Sequence, residues 1–162
     1  TDLHSSIEEY IATGDQPNNP SPLFGSWYSS LHEAGIEWYA SEVMVYNHIG
    51  FAGTVDAIGY LDGVPTLFDW KTTDEFDKKG KAKRINNSTH AAQIGGYLSA
   101  MNTMADRFPE LPQPAQAFVI YVFKDTLNVL WKEINIKKAI EAFQAANTLY
   151  SLTHSKGGLY GE

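Results

Sequence analysis

The sequence predicts an α/β fold in which helices cover both sides of a central mixed β-sheet. Five short runs rich in β-branched and aromatic residues are separated from segments whose apolar residues recur at helical spacing. Two of these runs flank Asp62-Gly63, a dipeptide suited to the two-residue turn of a β-hairpin. A helical segment separates the third run from the fourth, which permits a parallel strand reached by a right-handed crossover.

Composition predicts one domain over residues 1–162, because 162 residues with 43% hydrophobic content can bury one core. The chain begins at Thr1 and not at methionine, which indicates a fragment or processed form truncated at its N-terminus. A net charge of −7 argues against nucleic-acid binding over the whole surface, so any such contact is expected to be local. No apolar run is long enough to cross a bilayer, and no membrane partner is expected.

The N-terminal half predicts two helices and three antiparallel strands. Residues 1–13 form an amphipathic helix that Gly14 ends, and Ser21-Pro22 provide the cap and first turn of a helix ending before Gly35. Residues 41–47 alternate as a strand in which Glu42 is near the start. The hairpin around Asp62-Gly63 supplies the next two strands.

The register of this hairpin brings two acids together. If the turn has only two residues, Leu61 faces Val64, and counting outward places Asp56 opposite Asp69. Alternation makes them a non-hydrogen-bonded pair with Cβ atoms about 4.5 to 5.5 Å apart. Lys71, two residues further, shares that face of the sheet.

Two carboxylates at this separation repel by roughly 3 kcal/mol at an effective dielectric near 20, so a fold keeps them only with compensation. A divalent cation supplies it, and hard oxygen ligands suit Mg²⁺ or Mn²⁺. With an adjacent ammonium such as that of Lys71, this is the chemistry of phosphodiester hydrolysis. The alternative is an exposed hairpin that carries two solvated acids and a lysine.

The C-terminal half predicts a helix, two strands and a final helix. Ser88 or Thr89 caps a helix that runs to about Arg107. Residues 115–123 and 127–134 predict strands, and Asn135 caps the last helix. Between the hairpin and the first of these helices, basic residues cluster where they can hold phosphates in a salt-dependent way, although charge runs are often only solvated. The cluster consists of Lys78, Lys79, Lys81, Lys83 and Arg84.

The order and spacing of these motifs resemble the PD-(D/E)XK nuclease superfamily, and most closely its RecB-like exonuclease branch, which includes phage exonucleases and the mitochondrial genome maintenance exonuclease. The resemblance runs from His4 to about Arg107 and implies a restriction-endonuclease-like core. Some relatives hold an iron–sulfur cluster on four cysteines, and this chain has no cysteine. The motifs that carry the resemblance are Glu42, Gly53-Thr54-Val55-Asp56, Asp69-Trp70-Lys71 and Gln93 with Tyr97.

The resemblance also implies a role for each site residue. Asp56 and Asp69 would bind the metal, together with His4 and the carbonyl of Trp70. Lys71 would activate water or stabilise the transition state. Glu42, the outer acid, would contact a metal-bound water or a second ion. Gln93 and Tyr97, on the following helix, would position DNA.

The function expected from the sequence is Mg²⁺-dependent hydrolysis of DNA, most like that of an exonuclease acting on single strands or duplex ends in recombination, repair or degradation. A structure-specific endonuclease would use the same chemistry. A noncatalytic nucleic-acid-binding domain would keep the fold without turnover. The absence of cysteine agrees with a reducing compartment, such as the bacterial cytoplasm for a phage protein or the mitochondrial matrix.

Overall fold

A computed structural model describes residues 2–161, which form four helices around one five-stranded sheet. The strands follow one another across the sheet in sequence order. The third and fourth strands are parallel and the other neighbours are antiparallel, so the predicted α/β class with a mixed sheet is confirmed. The elements are α1 (Leu3–Thr13), α2 (Pro22–Glu33), β1 (Glu37–Tyr46), β2 (Ala52–Leu61), β3 (Val64–Thr73), α3 (Ser88–Met104), β4 (Gln116–Phe123), β5 (Val129–Glu133) and α4 (Ile136–Thr153).

Helix ends follow the capping signals of the sequence. Ser21 accepts the N–H of Phe24 at the start of α2, and Gly14 ends α1 in the left-handed region at φ 78°. The cap of α3 is Asn87 and not the predicted Ser88 or Thr89, because an asparagine side chain one position earlier reaches the same orphan N–H groups. Thr1, the predicted start of α1, lies outside the described residues.

Several predicted boundaries are wrong by a few residues. β1 begins at Glu37 and not at residue 41, because Trp38 continues the strand and stacks on Trp27 with ring centroids 6.0 Å apart. Helix α3 ends at Met104, short of residue 107. β5 is shorter than predicted, since the segment before it turns around Asp125, whose carboxylate accepts backbone N–H groups from the loop after β3.

Helices cover both faces of the sheet, as predicted. Helix α3 supplies Ile94, Leu98 and Met101 to one core, and α4 packs on the same side. Helices α1 and α2 cover the other face with an aromatic core that includes Phe24 and Trp27. No helix within residues 2–161 combines the length and apolar character that crossing a bilayer requires.

Helices α3 and α4 approach closely at Gly95. A Cβ atom at this position would overlap the backbone carbonyl of Ala139 in α4. The glycine therefore lets the backbone of α4 approach α3. The cost of glycine inside a helix, about 1 kcal/mol relative to alanine, is therefore offset by packing of one helix backbone on another.

Gly95→Ala should destabilise the protein by about 1 to 3 kcal/mol or more, because the neighbouring backbone must move to admit the methyl group. Urea unfolding measures the change. Gly25→Ala is a matched control in α2, where nothing lies within 4 Å of an added Cβ. That variant should be neutral or more stable by up to about 1 kcal/mol. Equal effects of the two substitutions would contradict the close approach of the two helices.

Candidate active site

The candidate site lies where the central hairpin opens. Asp62 and Gly63 have φ angles of 50° and 77°, as a type I′ turn requires. The predicted register holds from Leu61 opposite Val64 to Ala57 opposite Phe68. Among the described pairs the ladder stops there, one position short of the two acids. The predicted ladder pairing of Asp56 with Asp69 is therefore not formed.

The side chain of Asp56 takes the place of the next hydrogen bond of this ladder. Its Oδ2 atom accepts the backbone N–H of Trp70 at 2.7 Å. Because N–H and C=O of one strand residue point to the same side, the carbonyl of Trp70 faces the same opening. The Nε2 atom of His4 lies 3.1 Å from this carbonyl oxygen and 3.5 Å from Asp56 Oδ2.

Helix α1 holds His4 in this position. Leu3 and Ile7, on either side of it in the sequence, are buried in the aromatic core. The carboxylate of Asp56 raises the pKa of His4, while partial burial opposes the shift. The structure thus brings together His4, Asp56 and the Trp70 carbonyl, three of the four groups that the sequence resemblance implies as metal ligands.

Asp69 is a buried anion with incomplete compensation. The residue is 4% exposed, and Lys71 Nζ lies 3.2 Å from Asp69 Oδ2. This contact is an ion pair, and Oδ2 makes no hydrogen bond with the described residues. Burial, followed by the charge of Asp56, raises the pKa of Asp69 to about 6, and Lys71 opposes that rise.

Alternation along β3 fixes the Asp-Trp-Lys arrangement. Trp70 points into the aromatic core on the opposite face, where its ring meets Trp27 edge-on at 5.3 Å. Asp69 and Lys71 therefore point to the α3 side. The strand lies between β2 and β4, so neighbours on both sides hold its backbone.

Glu42 has a strained backbone, with φ at 51° in the middle of β1. The pairs Ser41–Ala57 and Val43–Val55 on either side place Glu42 opposite Asp56. A non-glycine residue in this region costs of order 1 to 3 kcal/mol, and such strain is often found at functional sites. Burial, then the charges of Asp56 and Glu8, raises the pKa of Glu42.

The sequence analysis did not assign a role to Glu8. It lies one helical turn after His4 on α1, and its charge acts on Glu42. The spacing of four residues places Glu8 and His4 on one helix face, and this was the available signal. The sequence could not predict that β1 lies against the face of α1 that carries His4 and Glu8.

Tyr97 lies on α3, the helix that covers the face of the sheet to which Asp69 points. Burial, followed by the charges of Asp69 and Asp56, raises the pKa of Tyr97 to about 12, and Gln93 opposes the rise. The hydroxyl therefore stays protonated and can donate a hydrogen bond. A Cβ on Gly53 would lie 2.5 Å from the Tyr97 ring, so this glycine makes room for the tyrosine.

His90 of α3 and Tyr121 of β4 border the site. His90 is half-buried, and its Nδ1 lies 3.3 Å from the Tyr121 hydroxyl. Tyr121 is the partner of Lys71 in the parallel ladder between β3 and β4. Burial, followed by the charge of Lys71, lowers the pKa of His90.

The basic cluster lies in the loop that follows β3 and is exposed. Asp125 anchors the start of this loop by accepting the N–H groups of Glu75 and Phe76. Lys83 Nζ donates to Thr73 Oγ1 at 3.2 Å, which holds that lysine near the end of the strand that carries Lys71. The other members of the cluster are Lys78, Lys79, Lys81 and Arg84.

The donors at this site fit a hard divalent cation that keeps several waters. No group of three His, Asp or Glu within residues 2–161 is arranged to hold a metal ion unaided. Mg²⁺ does not require such a group, because it usually takes one or two carboxylates and completes its shell with waters and substrate phosphates. Asp56, the Trp70 carbonyl and the unpartnered Oδ2 of Asp69 supply suitable oxygens.

Comparison with known proteins does not assign a family. No family model matches the chain, and no curated protein matches it. A solved structure described as the crystal structure of SSO0001 aligns with 83% of this chain at 16% identity and a TM-score of 0.40. The chain spans 58% of the length of that structure.

Proposed function

We propose that this chain is a Mg²⁺-dependent deoxyribonuclease of the PD-(D/E)XK type, most like the RecB-like exonucleases, acting in the cytoplasm. The observation that carries the proposal is the buried Asp69 carboxylate, whose Oδ2 has no hydrogen-bond partner among residues 2–161. It lies beside Asp56 and Lys71 at the end of a hairpin. This arrangement has a cost to stability that catalysis would explain.

A noncatalytic binding domain has less reason to keep these residues. Burying an anion without full pairing is unfavourable, and a nearby like charge adds to the cost. An asparagine at position 69 would relieve both effects with nearly the same shape. The intact Asp69 and Lys71 therefore favour an enzyme over a binding module on the same fold.

Each residue of the site has a role in hydrolysis. Mg²⁺ bound by Asp56, Asp69 and the Trp70 carbonyl would supply a Lewis acid and lower the pKa of a bound water. The ammonium of Lys71, 3.2 Å from Asp69 Oδ2, can orient the nucleophile and balance charge that develops at phosphorus. The protonated hydroxyl of Tyr97 can donate to a phosphate oxygen.

Local positive charge would hold the DNA beside this site. The overall charge of −7 repels a polyanion, whereas the exposed loop after β3 concentrates lysine and arginine. Because Lys83 is tied to Thr73 near the end of β3, phosphates on the loop would continue toward Lys71. This placement supports DNA as the partner.

Replacing the five basic residues of the loop by glutamine should weaken DNA binding and flatten its salt dependence. The slope should fall by about 0.7 to 0.9 for each phosphate that the loop no longer neutralises. Fluorescence anisotropy of labelled DNA in EDTA, over a range of salt concentrations, measures both effects. Glutamine at the exposed Lys137 and Lys156 is the control and should change the slope less per charge. If the salt slope changes by the same amount per charge in the loop variant and in the control, the loop is solvated surface and does not bind DNA.

End-labelled linear DNA compared with a closed circle of the same sequence tests the proposed exonuclease. The linear substrate should be degraded in Mg²⁺ and spared in EDTA, and the circle should persist. Cleavage of the circle would favour the endonuclease alternative. If neither substrate is cut in Mg²⁺ or Mn²⁺ while DNA still binds, the noncatalytic alternative holds.

A further inference from the structure

A cavity of about 330 Å³ opens beside the candidate site and has no role in the mechanism above. It lies between the start of α3, strands β4 and β5 and the start of α4. Its floor is apolar and includes Ile85, Ala91 and Val119. Pockets of this size with an apolar lining and a few polar groups are typical of sites for small organic ligands.

The cavity is continuous with the catalytic face of the sheet. His90 and Tyr121 line it, and Tyr121 is the ladder partner of Lys71. Val119, which also lines the cavity, is the ladder partner of Asp69. A phosphodiester cleaved at Lys71 therefore has this cavity beside the scissile phosphate, where a neighbouring nucleotide must lie.

The polar groups of the cavity suit a nucleobase. Asn87 and Asn135 line it, and each uses its Oδ1 atom to cap a helix. Their amide Nδ2 groups remain as donors for the acceptor atoms on the edge of a base. The half-buried imidazole of His90 offers an aromatic surface at the side toward Lys71, and the buried ring of Tyr121 lies next to it with the centroids 6.4 Å apart.

The rim of the cavity carries more positive than negative charge. Lys132 and Lys138 are exposed there, and Glu133, the last residue of β5, is an acid in the lining. An apolar floor with two ammonium groups at the rim matches a nucleotide, which has a flat base at one end and a phosphate at the other. It does not match a purely apolar ligand.

We infer that this cavity is a nucleobase subsite, which receives the base of a nucleotide next to the scissile phosphate and retains the nucleoside monophosphate product. The inference rests on the proposed nuclease function for its biological role. The binding itself does not depend on turnover, so the two can be tested separately.

Deoxyadenosine 5′-monophosphate is the probe, and deoxyribose 5-phosphate is the matched compound without a base. Binding is measured by isothermal calorimetry and by NMR shifts, in EDTA, for the parent protein and for Ala142→Phe. Ala142 lines the cavity near its mouth on α4, so a phenylalanine there would cover the opening. Ala145→Phe, exposed on α4 and outside this lining, is the control.

The nucleotide should bind the parent at least about tenfold more tightly than the compound without a base, and Ala142→Phe should abolish that difference while Ala145→Phe keeps it. Equal binding of the two compounds by the parent, or unchanged nucleotide binding by Ala142→Phe, would overturn the inference. A third outcome is possible, in which Ala142→Phe removes nucleotide binding but the parent cuts no DNA. That outcome would support the nucleobase subsite and contradict the proposed nuclease function.

Discussion

Lys71→Ala should lower the turnover of DNA by about 10²- to 10³-fold, the loss seen when a single preorganised donor to a transition state is removed. The Nζ atom lies 3.2 Å from Asp69 Oδ2 and on the catalytic face, so its removal takes a positive charge away from the reacting phosphate. Mg²⁺ affinity should stay the same or rise, because the site becomes more negative. Single-turnover cleavage and calorimetric Mg²⁺ titration on the same protein measure the two quantities.

Lys156→Ala is the control for this experiment, since Lys156 is exposed beyond the end of α4. It should cleave at the parent rate. A Lys71→Ala protein that folds and cleaves as fast as the parent would show that Lys71 has no catalytic role. If Lys71→Ala instead loses Mg²⁺ binding, the lysine acts on the metal site and not on the transition state.

Asp69→Asn should abolish cleavage and at the same time stabilise the metal-free protein. In the parent protein the pKa of Asp69 is about 6, so the ionised carboxylate destabilises the folded state relative to the unfolded state. Since one pKa unit corresponds to about 1.4 kcal/mol, the free energy of unfolding of Asp69→Asn should exceed that of the parent by an amount of order 1 to 3 kcal/mol at pH 8. This gain in stability should shrink as the pH falls through about 6, because Asp69 of the parent then becomes protonated and no longer destabilises the fold.

Urea unfolding at pH 8 and at pH 4.5, in EDTA and in Mg²⁺, tests this prediction. Mg²⁺ should stabilise the parent and have little effect on Asp69→Asn, because the variant lacks one of two anionic ligands. Asp15→Asn, at an exposed position, should behave as the parent in all four conditions. A less stable Asp69→Asn protein in EDTA would mean that the carboxylate supports the fold instead of straining it.

Local signals predicted most of the fold. The Asp62-Gly63 turn set the hairpin register, because a type I′ turn leaves two strands one way to pair and alternation then assigns each side chain to a face. Asn135 marked the start of α4 by its side-chain cap. These features depend on residues that are close in the sequence.

Interactions between distant segments could not be predicted. The ladder opens before Asp56 because its carboxylate takes the N–H of Trp70, which depends on side-chain geometry and not on register. His90 meets Tyr121 only because the crossover from β3 to β4 places α3 over β4. The left-handed φ of Glu42 has no sequence signal, since residues favoured there are glycine and asparagine.

Side-by-side cleavage of end-labelled linear DNA by the parent protein and by Asp69→Asn, purified in the same way, tests the central claim most directly. The parent should release labelled nucleotides in Mg²⁺ and none in EDTA. Asp69→Asn should release none in either, because the amide cannot replace the Asp69 carboxylate as a metal ligand. Equal cleavage by both proteins, or no cleavage by the parent in Mg²⁺ or Mn²⁺, would contradict the assignment of Asp69 to a nuclease site.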